Sequence, residues 1–468
     1  MYRKFATIKF RGTETLVSIN PATDKVLNTY TAMSDKEVCQ ILNKSQVAAG
    51  GWARTEFGVR RHLMTKLADL LQASKSELAK LMTAEMGKPI AQGIAEVEKC
   101  AWVCKYYVEN GKFFLVDEEL EHGEKQCKRA YRPLGTILGV MPWNFPFWQV
   151  FRFAVPNLIA GNVVVLKHAS NVSGCALAIE RLFLDVGFPT GVFKTLLITS
   201  RSVPAVVANP IVKGVAVTGS IETGRSVASE ASKHIKKSVL ELGGSDAYIV
   251  LADADIEKAA EACVESRLTN AGQSCISATR FIVVKEIHTQ FFERVYSKMA
   301  GKVAGDPLHP GVDIGPLASK AQRRKLHKQV ESSIAKGATL HLGGTIPSKT
   351  GAFYKPTLLS QVTRGMPAYD EELFGPVASI IQAEDEQEAI AIANGTELGL
   401  GAAVFTSDLD KGLRIASEQL EAGVCFVNDF VKSDPRLPFG GIKHSGYGRE
   451  LSRLGIREFL NPKTVVLA

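Results

Sequence analysis

A cysteine sits at the centre of "LTNAGQSCISATRFIVV", Leu268–Val284, between a polar, Gly-containing approach and a β-rich apolar run. Cysteine makes two kinds of contribution to a protein. It packs as a small apolar residue, or it attacks an electrophile as the thiolate. Cys275 is one of eight cysteines, so packing is the commoner role in this chain. Two features set it apart. Gly272, Gln273 and Ser274 form a flexible polar flank suited to approaching a ligand, and the segment joins a helix-like stretch to a strand-like one. A thiol attacking a carbonyl also needs a base and a donor for the oxyanion that forms.

Three segments supply candidates. Glu241 ends the apolar run "SVL" and precedes Leu242, Gly243 and Gly244. A carboxylate at the end of a buried strand has a raised pKa, which suits a general base near neutral pH; a strand-end Glu facing solvent is the alternative. Asn144 lies between two prolines and large aromatics in "MPWNFPFW", a rigid frame in which its amide can donate to an oxyanion or simply form a turn. "VTGSIETG", Val217–Gly224, follows a strand and opens a helix, as a phosphate cradle does. Its glycines, Gly219 and Gly224, lack GxGxxG spacing, so alone it is weak.

These residues need elements to position them. Ser34-x-x-Glu37 and Ser74-x-x-Glu77 are capping-box patterns, each predicted to open a helix. "GKP" at Gly87–Pro89 ends one helix and starts another running to about Val108. From about Lys128, nearly continuous apolar runs alternate with helical stretches. "TILGVM", "VVVLK", "FKTLLI", "GVAVTG" and "SVLEL" read as buried parallel strands. After "LGGSD" the alternation restarts with "AYIVL", "RFIVV", "AAVFT" and "VCFVN". Two α/β domains are predicted. The segment "LVDEELEHGEKQCKRAYRPLG" alternates like a protruding hairpin and, with the tail "NPKTVVLA", is predicted to form an edge that pairs with another subunit.

Composition narrows the class. The chain has 468 residues, 46% of them hydrophobic and 22% charged, which indicates more than one domain in a globular protein. The net charge of +8 is dispersed; its densest group, "QRRK" at Gln322–Lys325, reads as a solvated helical face, so no nucleic-acid partner is expected. The cysteines have neither CxxC nor paired-His spacing, so no metal is expected, and their sparseness indicates a reducing, cytoplasmic compartment. "MYRKFATIKFRG" lacks a secretory apolar block and no apolar run is long enough to span a membrane, so no membrane partner is expected.

Taken together, "PWNFP", "VTGS....G", "LELGGSD", "GQSC", "EELFGPV" and "PFGGIKHSGYGRE" resemble, in order and spacing, the aldehyde dehydrogenase superfamily, from "INPAT" at Ile19 to the tail. Within it the chain is most similar to bacterial NAD(P)-dependent succinate-semialdehyde dehydrogenases, through "MPWNFP.WQV.R" and the "LKHA" segment. The resemblance implies an α/β fold. A Rossmann-like cofactor domain would comprise 1–114 and 134–243, a catalytic domain 244–450, and an oligomerisation arm of a homodimer or homotetramer 115–133 and 451–468. It implies oxidation of a small aldehyde to an acid, with Cys275 as nucleophile, Glu241 activating the hydrolytic water, and Asn144 donating to the oxyanion beside the Cys275 N–H. Lys167 would bind the adenosine ribose, Gly219 and Ser220 would border the pyrophosphate, and Glu372 beside Phe374 would bind the nicotinamide ribose. Met141, Pro142, Trp143, Leu242 and Gly243 complete the expected cofactor surface.

Two positions refine this. NAD-preferring members carry a glutamate three residues after the lysine, where this chain has Ser170. A small hydroxyl there accommodates a 2′-phosphate, so NADP is expected to be preferred and NAD possible. On the substrate side, Arg152 shares a face with Gln149 on an otherwise apolar helix. An unpaired buried arginine needs an anion, so a substrate carboxylate is one reading; an internal acid, or stacking on Trp148, is the other. The resemblance favours the carboxylate of succinate semialdehyde, with Trp148 and Ser433 or Lys432 alongside; glutarate semialdehyde and simple aliphatic aldehydes are alternatives, and a non-catalytic relative a remote one. The second arginine of some members is Thr269 here, with Arg267 two residues further back. Ser277 stands where some members have another cysteine, so no disulfide switch is expected.

Overall fold

The computed structural model describes residues 14–123 and 125–467. Two parallel sheets organise them. The first runs Gly446–Tyr447, Lys237–Glu241, Val212–Thr218, Thr136–Met141, Val163–His168 and Phe193–Thr195, parallel except at its first strand. Its strands are near-continuous Val, Ile and Leu runs because helices bury both faces. The chain winds outward from Thr136–Met141 to Phe193–Thr195, then returns to add Val212–Thr218 and Lys237–Glu241 on the other side. The order therefore reverses between Thr136–Met141 and Val212–Thr218. Ligands bind doubly wound sheets beyond the carboxyl ends of the strands at such a reversal. Asn144 and Ser220 follow those two ends.

The second sheet runs Thr339–Leu342, Thr357–Ser360, Val377–Ala383, Ala278–Val284, Asp246–Val250, Gly401–Phe405 and Val424–Val427, parallel except at the first. The tail strand Leu460–Leu467 pairs antiparallel with Gln126–Pro133, which pairs with Glu118–Leu120, giving a separate three-stranded sheet. Among the described residues, no helix is long and apolar enough to cross a membrane.

Local chemistry explains most boundaries. Ser34 caps Asp35–Trp52 with a complete capping box: its Oγ accepts from Glu37 N, and Glu37 accepts from Ser34 N at 2.8 Å. The matching pattern at Ser74 opens nothing, because Phe57–Met86 is one helix of 30 residues. Leu67, Leu71, Leu78 and Met82 keep a buried stripe running through Ser74, and tertiary packing overrides the local cap. Gly87, at φ 81°, ends that helix. The next helix, Ile90–Phe114, passes Val108 because Gly111 and Phe114 continue its buried face. The strand predicted over "FKTLLI" stops at Thr195.

Candidate active site

The loop leading into Cys275 is a strained turn locked on several sides. Asn270, Ala271 and Gly272 all have positive φ, at 55°, 53° and 71°. For the two non-glycines that conformation is costly and persists only when its surroundings fix it. Asn270 Nδ2 donates to the Asn144 carbonyl at 2.8 Å, and Gln92 Oε1 accepts from Asn270 N at 2.7 Å. Gln273 accepts from Ala318 N at 2.8 Å. Beneath the turn, fully buried Arg267 donates to the Gly272 carbonyl at 2.6 Å and to Thr279 at 2.8 Å. Arg267 is therefore a strut of the loop. A Cβ on Gly272 would lie 2.2 Å from the Gly375 carbonyl, so only glycine fits.

This turn brings Asn144 and Cys275 together. Buried Asn144 donates from Nδ2 to the Gln273 carbonyl at 3.1 Å, two residues before Cys275. Among the described residues, the Cys275 N–H donates to no acceptor. A free N–H beside an anchored amide is what an oxyanion site requires. Burial pushes the Cys275 thiol up to about 12, against the opposing pull of Arg152.

"LELGG" meets the same loop from the first sheet. A Cβ on Gly244 would sit 2.2 Å from the Cys275 carbonyl, so backbone packs directly on backbone. Glu241, the last residue of its strand, is buried and its carboxylate receives no hydrogen bond. Desolvation raises its pKa well above the carboxylate range; Arg152 opposes this and Glu450 adds to it. The carboxyl lies next to Gly440, beside the cavity that Cys275 lines rather than within it.

Arg152 differs from the unpaired arginine expected. Its Nε pairs with Glu450, its Nη2 lies 3.3 Å from Thr218 Oγ1, and its guanidinium lies 4.8 Å from the Phe439 ring centre. The anion its burial demands is an internal one. Arg152 nevertheless lines the cavity, with Trp148 and Ser433. That cavity has a volume of about 260 Å3 and reaches Cys275 through walls of Phe145, Phe430 and Phe439.

Lys88, Glu96 and Lys99 escaped the sequence reading. Glu96 Oε1 accepts from the Phe147 and Trp148 N–H groups, both at 2.9 Å, and so caps the helix Trp148–Ile159. A carboxylate at a helix N-terminus also matches the helix dipole. Lys88 pairs with Glu96 in a fully buried contact and lies 3.8 Å over the Phe145 ring. Lys99, on the same helix as Glu96, projects into the cavity. Lys88 lies in the turn before the helix Ile90–Phe114, and Glu96 is a charged position on that helix's buried face.

A second cleft, of about 310 Å3, lies at the carboxyl end of the first sheet and is lined by Val140, Lys167, Val203, Pro204 and Thr223. Buried Lys167 has its pKa lowered by desolvation and, among the described residues, makes no ion pair, although Glu222 and Glu230 line the same cleft. A cation so placed fits an anionic ligand. Ser220 caps the helix Ile221–Lys233 by accepting from Thr223 N, and Gly219 donates to the Glu241 carbonyl at 3.0 Å. Glu222, which also lines the cleft, is held below its usual range by backbone and Ser220 hydrogen bonds. Ser170, half-buried, starts the turn after the Lys167 strand but is not among the residues lining the cleft. Met141 accepts from Ala169 N at 3.0 Å and Leu242 donates to the Ser445 carbonyl at 2.9 Å.

Glu372 accepts from Gly244 N at 3.1 Å and lies against Gly243; burial lifts its pKa to about 7. Phe374 meets Trp143, next to Pro142, edge-on at 5.6 Å. The two clefts thus flank the stretch where Gly244, Glu372 and Cys275 converge. Lys167, the Ser220-capped helix and Glu372 together fit a dinucleotide: a cation, a helix N-terminus and a hydroxyl acceptor at successive stations.

Known proteins are similar to this chain along nearly its whole length. The chain is 47% identical over 453 residues to a probable succinate-semialdehyde dehydrogenase (NADP+) of Synechocystis, covering 97% of this chain and 100% of that one. It is 44% identical over 456 residues to succinate-semialdehyde dehydrogenase (NADP+) 1 of Mycobacterium tuberculosis, covering 97% and 100%. Among solved structures, succinic semialdehyde dehydrogenase from Streptococcus pyogenes in complex with NADP+ superposes with a TM-score of 0.94 at 37% identity, covering 96% of this chain and 99% of that one. Residues 8–465 match the aldehyde dehydrogenase family, and with these relatives along nearly its whole length the chain belongs to that family.

Proposed function

We propose that this protein oxidises succinate semialdehyde to succinate with NADP+. The observation that carries the substrate class is the charge around the Cys275 cavity. Its charged walls are Lys99, Arg152 and Lys432 against Glu96 alone, three cations to one carboxylate. Apolar side walls with a cationic lining suit a short aldehyde that bears an anion at its far end. The relatives named for this reaction supply the particular acid.

Cys275 gives its thiol proton to solvent water, and its sulfur attacks the aldehyde carbon as the carbonyl π pair moves onto oxygen. The oxyanion that forms is met by Asn144 Nδ2 and the Cys275 N–H. NADP+, when bound, supplies the acceptor for the substrate's C1–H electron pair. Lys167 would hold its adenosine end, with Ser170 on the adjoining turn leaving room for a 2′-phosphate, the Ser220-capped helix would face its pyrophosphate, and Glu372 would accept from a ribose hydroxyl. The oxidised carbon is then a thioester on Cys275. Glu241, whose pKa burial raises, takes a proton from water as the water oxygen attacks the thioester carbon, and the C–S bond breaks to release the acid and the Cys275 sulfur. Arg152 pairs with Glu450, opposes the pKa rise of Glu241 by its charge, and with Trp148 and Ser433 lines the cavity the substrate would enter.

Glu241→Gln isolates the last step. With NADP+ and succinate semialdehyde, it gives a burst of about one NADPH per subunit, then slow turnover, and the Cys275 peptide carries a succinyl group. Steady turnover at the unaltered rate, with no acyl adduct, would contradict the roles given to both residues.

The three-stranded sheet leaves the tail strand Leu460–Leu467 with one free edge and with Val465, Val466 and Leu467 exposed. An apolar free edge favours pairing with a second chain, and we assign it to a homodimer or homotetramer. Sedimentation as a monomer at micromolar concentration would remove that assignment.

A further inference from the structure

We propose that Lys99 is the residue that receives the substrate's distal carboxylate, with Ser433 as its neutral partner. The proposal rests on the reading of this cavity as a site for a semialdehyde acid and names the cation that selects it.

Charge accounting singles out Lys99. Four charged side chains line the cavity: Glu96, Lys99, Arg152 and Lys432. Glu96 is paired with Lys88 and Arg152 with Glu450, both pairs buried. Lys432 pairs with Asp429 at 2.6 Å. Lys99 has no carboxylate within ion-pair distance among the described residues. Asp434, the nearest acid on the facing loop, is taken by Arg436 at 2.5 Å. The other charged groups felt by Lys99 are Arg152, which repels it, and Glu96, already paired.

Its position is fixed. Lys99 Nζ donates to Ser433 Oγ at 2.9 Å and lies 4.4 Å from the Trp148 ring centre. Ammonium, hydroxyl and indole thus come from three separate elements and converge on one end of the cavity. Burial, with Arg152 adding repulsion, lowers the Lys99 pKa to about 8. A cation kept at that cost without a counter-ion is stabilised when an anion enters. Arg152 offers less, because Glu450 already neutralises it, and a second anion beside that pair would be repelled.

The test compares kcat/KM for succinate semialdehyde with kcat/KM for butanal, which has the same carbon chain and no charge, using the full-length enzyme and NADP+. Lys99→Met should lower that ratio by about 30- to 100-fold, mostly through KM, the scale of one lost charge-assisted hydrogen bond. Lys99→Gln keeps a donor for Ser433 and loses only the charge, so it should give a similar fall and guards against misfolding of the Met variant. Lys99→Arg should recover part of the ratio. A ratio within about threefold of wild type in both neutral variants would overturn the assignment alone. A wild-type enzyme with no preference for the anionic aldehyde would overturn the substrate reading and, with it, the role of Lys99.

Discussion

Cys275 holds its proton at rest. Its thiol is pushed up to about 12 by burial, and Arg152 only partly offsets this. The thiolate is the reactive form, so its fraction grows about tenfold per pH unit below the pKa. Iodoacetamide labelling of the Cys275 peptide in the cofactor-free enzyme should therefore accelerate from pH 7 to pH 10 without a plateau; a plateau near pH 8 would show a thiol already activated. Cys275, Glu241 and Asn144 stood out as candidates because each sits in a local frame that is odd for a core residue: a Gly-containing loop, a strand end and a double-proline turn. The partner of Arg152 was not. Glu450 lies in the distant "GRE" segment, and no local pattern joins them. Lys99 was hidden for another reason: in "AEVEKCAW" a lysine reads as solvated helix surface, and only the fold turns that face into a cavity wall.

At the scale of elements, the strands predicted from apolar runs largely formed, because buried parallel strands carry their own signature. Val377–Ala383 did not stand out, although it is an interior strand of the second sheet, between Thr357–Ser360 and Ala278–Val284. The Ser74 cap failed where a long buried stripe outweighed it. The junction between the sheets was not legible: Gly243 and Gly244 stood out only as the residues that follow Glu241. Gly244 is the contact at that junction, and its backbone lies where a side chain would strike the Cys275 carbonyl. Gly244→Ala should therefore reduce kcat by more than 100-fold as the loop shifts, since about 1 Å of misplacement costs on that order. Near-normal kcat in that variant would show that the loop tolerates displacement.

For the whole molecule, two sheets place two clefts on either side of one reactive turn. The first-sheet reversal point was implicit in the βα alternation, but the strand order that creates it depends on long-range pairing that no sequence window contains. The tail strand pairs with Gln126–Pro133, so the protruding hairpin and the tail share one sheet. Substrate choice arises at this scale, since its walls come from the helix Ile90–Phe114, the helix Trp148–Ile159 and the loop 428–437. The most direct test of the account is kcat/KM of the wild-type protein for succinate semialdehyde and butanal, each with NADP+ and NAD+. The account predicts that succinate semialdehyde with NADP+ gives the highest value, by about tenfold or more over each alternative, the scale of one discriminating contact. Equal or higher values for butanal, or for NAD+, would contradict it.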